Sequence, residues 1–141
     1  MSRPAEKVFH DPTTQVTERQ VMNLLCCAFE GGSNYWYRNL DVKSLPPGTK
    51  EEDYTPGAIK ARTKGWFLRY YVVPVDGGVV TLEACDEEGE MELTQHKLKV
   101  GLQLMANKHP SHFADVVSEH EDASTGDIFL QLCLFGEVIF Q

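Results

Sequence analysis

The sequence predicts a single α+β domain, and three features carry that reading. A nearly all-apolar stretch of helical length lies near the N-terminus, turn residues cut up a β-rich middle, and capped helical patterns fill the C-terminal third. At 141 residues, with 42% apolar and 24% charged side chains, the chain has the size and composition of one globular domain with one core. That balance excludes disordered and low-complexity classes. No apolar run approaches the roughly 20 residues needed to cross a bilayer.

Residues 1–13, with Pro4 and Pro12, read as an extended arm. They lack an apolar stretch of signal-peptide length, so the expected compartment is a cytoplasm. Thr17-Glu-Arg-Gln20 fits a capping box, in which Thr17 caps a helix and Gln20 reaches back. The helix is expected over residues 18–30, with Gly31-Gly32 as its C-cap. Only Asn23 is polar between Val21 and Phe29, which points to a central, buried helix. Residues 41–62, rich in proline and charge, read as a long surface loop.

Trp66–Val73 has strong strand propensity and is followed by the turn residues of Pro74–Gly78. With Val79–Cys85 and Met91–Leu93 it predicts a three-stranded antiparallel meander, whose last turn is the acidic Asp86–Glu90. Thr94 is placed to cap a helix over residues 95–107, and Ser111 to cap a shorter one beyond Pro110. Residues 119–126 read as a loop. Residues 127–135 predict a helix in preference to a strand pair hinged at Gly136, with Asp127 and Gln131 as its one polar stripe. Two to three C-terminal helices are therefore expected, then Val138–Phe140 as a strand or apolar tail.

Charge is unevenly spread. The chain carries 10 Lys/Arg against 9 Asp/Glu up to residue 82, and 3 against 12 from Glu83 onward. A net charge of −8 argues against general nucleic-acid binding, which needs clustered cations. Asp86, Glu87, Glu88 and Glu90 form a candidate acidic partner surface. Cys26, Cys27, Cys85 and Cys133 lie among apolar residues without zinc-ligand spacing, so reduced, buried thiols are expected.

The most unusual segment is Glu30-Gly-Gly-Ser-Asn-Tyr-Trp-Tyr37. Gly31 and Gly32 permit close backbone approach, while Tyr35, Trp36 and Tyr37 offer stacking area with polar tips. Glu30 and Asn34 supply oriented polar groups, and Asp127 and Gln131 are polar groups within an apolar segment that face either a ligand or internal partners. Lys60, Arg62, Lys64 and Arg69 form an acid-free basic stretch, from which Arg62 and Arg69 are candidate phosphate contacts. The competing reading makes the glycines a helix cap and the aromatics a cover for the core. His109, His112 and Asp115 make a weak metal pattern, and no metal or cofactor is expected. No nucleophile elbow, Walker loop, H-E-x-x-H or dinucleotide fingerprint occurs, so no catalytic residue is assigned.

Three stretches together resemble a known set: Glu30-Gly-Gly-Ser-Asn-Tyr-Trp36, Glu92-Leu-Thr94, and Asp127-Ile-Phe-Leu-Gln-Leu-Cys-Leu-Phe-Gly-Glu-Val-Ile-Phe140. The chain resembles small proteins of unknown function from bacteriophages and mobile elements, which pair an E-G-G-x-N-Y-W element with a D-x-x-x-Q-x-x-L-F-G-E ending. The resemblance implies a phage-encoded accessory protein in the bacterial cytoplasm; with the small size, the absent catalytic motifs and the acidic C-terminal half, it leads to the expectation of a non-enzymatic binder of a host protein or complex, with anti-defence activity as one form. The alternative is a binder or sequestering protein for a small nucleotide, using the Gly-Gly-Ser-Asn-Tyr-Trp loop. Monomer and homodimer both stay open.

Overall fold

A computed structural model describes residues 15–141. The expected arm lies outside the described residues. Helices predominate, and one three-stranded antiparallel sheet in the order β1-β2-β3 packs beside them, so the domain is α+β.

Helix α1 (Glu18–Cys27) starts at the expected capping box. The Gln20 backbone N–H donates to Thr17 Oγ1 at 3.2 Å, and the Thr17 N–H to Gln20 Oε1 at 2.8 Å. Val21, Met22, Leu24 and Leu25 are buried along it. Its end differs from the expected glycine cap. The chain continues through a wide π-helical turn, Ala28–Gly32, and the Ser33 N–H donates to the Ala28 carbonyl at 2.8 Å. Neither Gly31 nor Gly32 takes a positive φ. Gly32 is small for another reason: a Cβ there would stand 2.0 Å from the Ala123 carbonyl oxygen.

The expected loop at 41–62 is largely ordered structure. Strand β1 (Tyr37–Ser44) takes its first part, the 3-10 turn Glu51–Tyr54 follows, and helix α2 (Pro56–Thr63) takes the rest. The prolines misdirect here because Pro56 occupies the first helical turn, where its missing N–H costs nothing. Thr55 caps α2 by accepting the Ala58 N–H at 3.2 Å. β1 is an exposed edge strand with a bulge at Asn39, whose φ is 58°, so it lacks a clean alternation.

The second correction concerns Trp66–Val73, which is not a strand. Residues from Arg69 onward form helix α3 (Arg69–Asp76), ended by Gly77 at φ 110°. Tyr71, Val72, Val73 and Val75 are buried on it, so tertiary burial overrides local β-propensity. The antiparallel sheet exists as expected, but its first strand is β1, paired with β2 (Val79–Ala84), and β3 (Met91–Leu93) completes it.

Helix α4 (Gln95–Lys108) is capped by Thr94 as expected. Helix α5 (Pro110–Val117) starts with Pro110 in its first turn and His109 at the cap position, so Ser111 lies inside the helix rather than capping it. Helix α6 (Ala123–Phe135) begins four residues before Asp127, because Asp122 caps it by accepting the Thr125 N–H at 2.9 Å. Gly136 closes it at φ 75°. No strand forms at 138–140.

α6 is a central element together with α1. A Cβ on Gly126 would stand 2.6 Å from the Ala28 nitrogen, and one on Gly101 of α4 would stand 2.3 Å from Cys133 Sγ. These glycines let three helices approach closely. The cysteines are free thiols, but only Cys133 is fully buried; Cys26 and Cys27 are half-buried and Cys85 is exposed at the end of β2. Burial, followed by the charge of Glu30, pushes the Cys26 thiol up to about 11, so it is not an activated nucleophile at neutral pH.

Candidate functional site

The segment after α1 and the polar stripe of α6 meet. Asp127 Oδ1 accepts from Ser33 Oγ at 2.8 Å, Trp36 Nε1 at 2.8 Å and Gln131 Nε2 at 3.1 Å. Its Oδ2 accepts from the Tyr35 hydroxyl at 2.7 Å. Gln131 in turn holds the C-terminal tail: its Oε1 accepts the N–H groups of Ile139 and Phe140, both at 2.8 Å, and its Nε2 donates to the Phe140 carbonyl at 3.1 Å. Phe140 stacks on Trp36 with ring centroids 5.0 Å apart and planes 9° apart, and Phe135 packs on Trp36 at 5.5 Å.

This arrangement is a latch. Asp127 and Gln131 satisfy the polar groups of two chain segments, and Trp36 is only 2% exposed. Its ring faces are taken by other rings, so it presents no open stacking platform. Tyr35 is exposed, and burial of its hydroxyl, with the Asp127 contact second, raises it to about 12. Asn34 is exposed beside it. Glu30 accepts from the Tyr71 hydroxyl and lies near Cys26 Sγ, while the Tyr37 hydroxyl donates to the Phe29 carbonyl at 2.6 Å. Gly31 and Gly32 form the turn against α6.

Arg62 and Arg69 do not join this network. Arg62 Nη2 lies 2.9 Å from Asp76 Oδ2, and Arg69 Nη2 lies 3.2 Å from Glu51 Oε1. Asp86, Glu87, Glu88 and Glu90 are all exposed in the β2–β3 turn, and among the described residues none of the four is in an ion pair. His112 Nδ1 lies 2.9 Å from Thr125 Oγ1. Among the described residues no group of three His, Cys, Asp or Glu side chains is placed to hold a metal ion.

A second region was missed because its aromatics were assigned to a strand. Between α2 and α3 the chain reverses through Lys64, whose φ is 61°, and Gly65. Trp66 follows with 80% of its surface exposed, and Leu68 with 49%. Lys60 Nζ lies 3.7 Å from the centroid of the Trp66 ring and holds it from one side. The residues that follow it, Phe67 and Leu68, help to wall a groove of about 420 Å³ with Tyr54, Pro56, Ile59 and Tyr70, rimmed by Glu51, Glu52 and Arg69. The acid-free basic stretch Lys60–Arg69 was the available signal, and Trp66 sits inside it.

Among the described residues no helix is long and apolar enough to cross a membrane. No family model, curated protein or solved structure matches the chain.

Proposed function

We propose that this chain is a bacteriophage- or mobile-element-encoded accessory protein that acts without catalysis, by binding a host macromolecule in the bacterial cytoplasm. The observation that carries the reading is Trp66, 80% exposed beside a half-exposed Leu68. A large aromatic left in water two residues from Leu68, which is half-exposed and walls an apolar groove, has the composition of a binding hot spot. The latch supports the same reading from the other side. Asp127 and Gln131, the polar groups best placed for chemistry, are engaged in internal hydrogen bonds. Origin and compartment rest on the sequence resemblance. Inhibition of a host defence complex is one concrete form of such an activity.

The test is affinity capture from the natural host, followed by reconstitution with the purified partner. Three versions of the full chain are compared: native, Trp66→Ala, and the triple variant Glu87→Lys, Glu88→Lys, Glu90→Lys. Trp66→Ala is expected to weaken the reconstituted complex by about tenfold or more. The triple variant reports whether the acidic turn contributes a second contact. Equal binding by native protein and both variants would overturn the reading.

A further inference from the structure

We propose that the cavity between the end of α4, the start of α6 and the C-terminal tail binds a small aromatic amine, its ammonium on Asp127 and its apolar body on Ile128, Val138 and Phe140. The inference goes beyond the partner-binding reading and is independent of it, since neither Trp66 nor any residue of its turn lines this cavity. The cavity measures about 450 Å³, within the roughly 300–1,000 Å³ of small-molecule sites. Its apolar wall comes from α6 and the tail, and its polar wall from Tyr35, Asp127, Ser124 and His109.

One charge selects the ligand. Asp127 is half-buried and lines the cavity. Its four donors, from Ser33, Tyr35, Trp36 and Gln131, are all neutral. Among the described residues it is in no ion pair, so its charge has no counter-ion. Oδ1 takes three of those bonds and Oδ2 only the one from Tyr35, which leaves Oδ2 room for a further donor. Among the described residues no lysine or arginine lines the cavity, so a phosphate or carboxylate would meet Asp127 with nothing to neutralise it. The N–H groups that open α6 would attract an anion, but Asp122 already serves that end, accepting the Thr125 N–H at 2.9 Å. An ammonium answers the charge that is left. The ring of Tyr35, 51% exposed, adds an aromatic surface for it, and the Ser124 hydroxyl and His109 imidazole supply further acceptors.

The experiment is an NMR titration of the isotope-labelled full chain with phenethylamine, and in parallel with the neutral phenethyl alcohol and the anionic phenylacetate. The Trp36 indole N–H bonds to Asp127, so its signal reports on this cavity, and the Trp66 indole signal serves as the internal control. The amine is expected to move the Trp36 signal saturably and leave the Trp66 signal in place. The alcohol is expected to bind about tenfold or more weakly, because it lacks the charge-assisted hydrogen bond, and phenylacetate not to bind. Amine binding is expected to weaken with added salt. Ser124→Lys, a change at an exposed position outside the Asp127 hydrogen bonds, is expected to abolish amine binding by placing a cation in the cavity wall. Asp127→Asn is expected to abolish it as well. A peptide with an N-terminal phenylalanine carries the same chemistry and is expected to bind no more tightly than the amine; tighter binding would make the source a protein N-terminus and overturn the small-molecule assignment. No saturable shift, equal affinity for amine and alcohol, a shift confined to Trp66, or amine binding retained in Ser124→Lys would overturn the proposal. Capture of a host partner through Trp66 is measured separately and stands or falls without it.

Discussion

The two tryptophans sit in opposite environments. Trp36 is 2% exposed, stacked on Phe140, with its indole N–H donated to Asp127. Trp66 is 80% exposed, with Lys60 against its ring. The first lies in the segment richest in motif-like residues, and the second in a stretch notable only for its cations. The contrast teaches that an unusual sequence element can be unusual because it joins distant parts of the fold. Ser33, Tyr35 and Trp36 all donate to one carboxylate more than ninety positions away in the chain.

The sharpest way to break this comparison is to truncate both rings. Trp36→Ala removes a buried indole and leaves Phe140 and Phe135 without their packing partner, so it is expected to cost about 4 kcal/mol. Chemical denaturation measures this directly. A cost below about 1 kcal/mol would mean that the latch does not hold the tail.

Asp127→Ala is next in size. It leaves the Trp36 indole N–H, the Ser33 hydroxyl and the Gln131 amide without their shared acceptor. The expected cost is about 3 kcal/mol, with a fall in Tm of roughly 10 °C. Double-mutant cycles with Trp36→Phe are expected to be strongly non-additive, since both changes delete one hydrogen bond. Additive effects would show that Asp127 acts through its other contacts.

How far the sequence revealed this structure depends on the range of the interaction responsible. The caps at Thr17, Thr94 and Gly136 are decided within a few residues, and all three were legible. The α6 helix was legible too, because a single polar stripe at i,i+4 suits a helix buried on its other faces. Trp66–Val73 was misread because its β-branched and aromatic residues are helical only through burial against α1 and the sheet. β1 escaped notice because an exposed edge strand shows little alternation. Within the candidate site, Asp127 and Gln131 were recognised, but their partners lie far away in sequence, so ligand and internal bonding looked alike. The exposure of Trp66 is a tertiary property that no local pattern encodes.

Gly31 and Gly32 sharpen the comparison by separating two meanings of glycine. A Cβ on Gly32 would stand 2.0 Å from the Ala123 carbonyl oxygen, so Gly32→Ala must push α6 away and is expected to cost about 2 kcal/mol. On Gly31 the nearest atom is Ala123 Cβ at 3.9 Å, and φ is not positive. Gly31→Ala is therefore expected to stay within about 0.5 kcal/mol of the native protein. Equal costs for the two would point back to a glycine cap and away from close helix approach.

Another small expected effect on stability is the most informative for function. Trp66→Ala removes an exposed ring and its contact with Lys60, a contact worth about 0.5–1 kcal/mol at a solvent-exposed position. The unfolding midpoint is expected to shift by less than about 1 kcal/mol of equivalent stability. Such a small cost is what the proposed binding role of Trp66 requires of its ring in the uncomplexed protein. A loss of stability as large as that of Trp36→Ala would instead make Trp66 a structural residue. The difference between the two tryptophans, measured in one denaturation experiment, thus tests whether the buried ring holds the fold together while the exposed one does not.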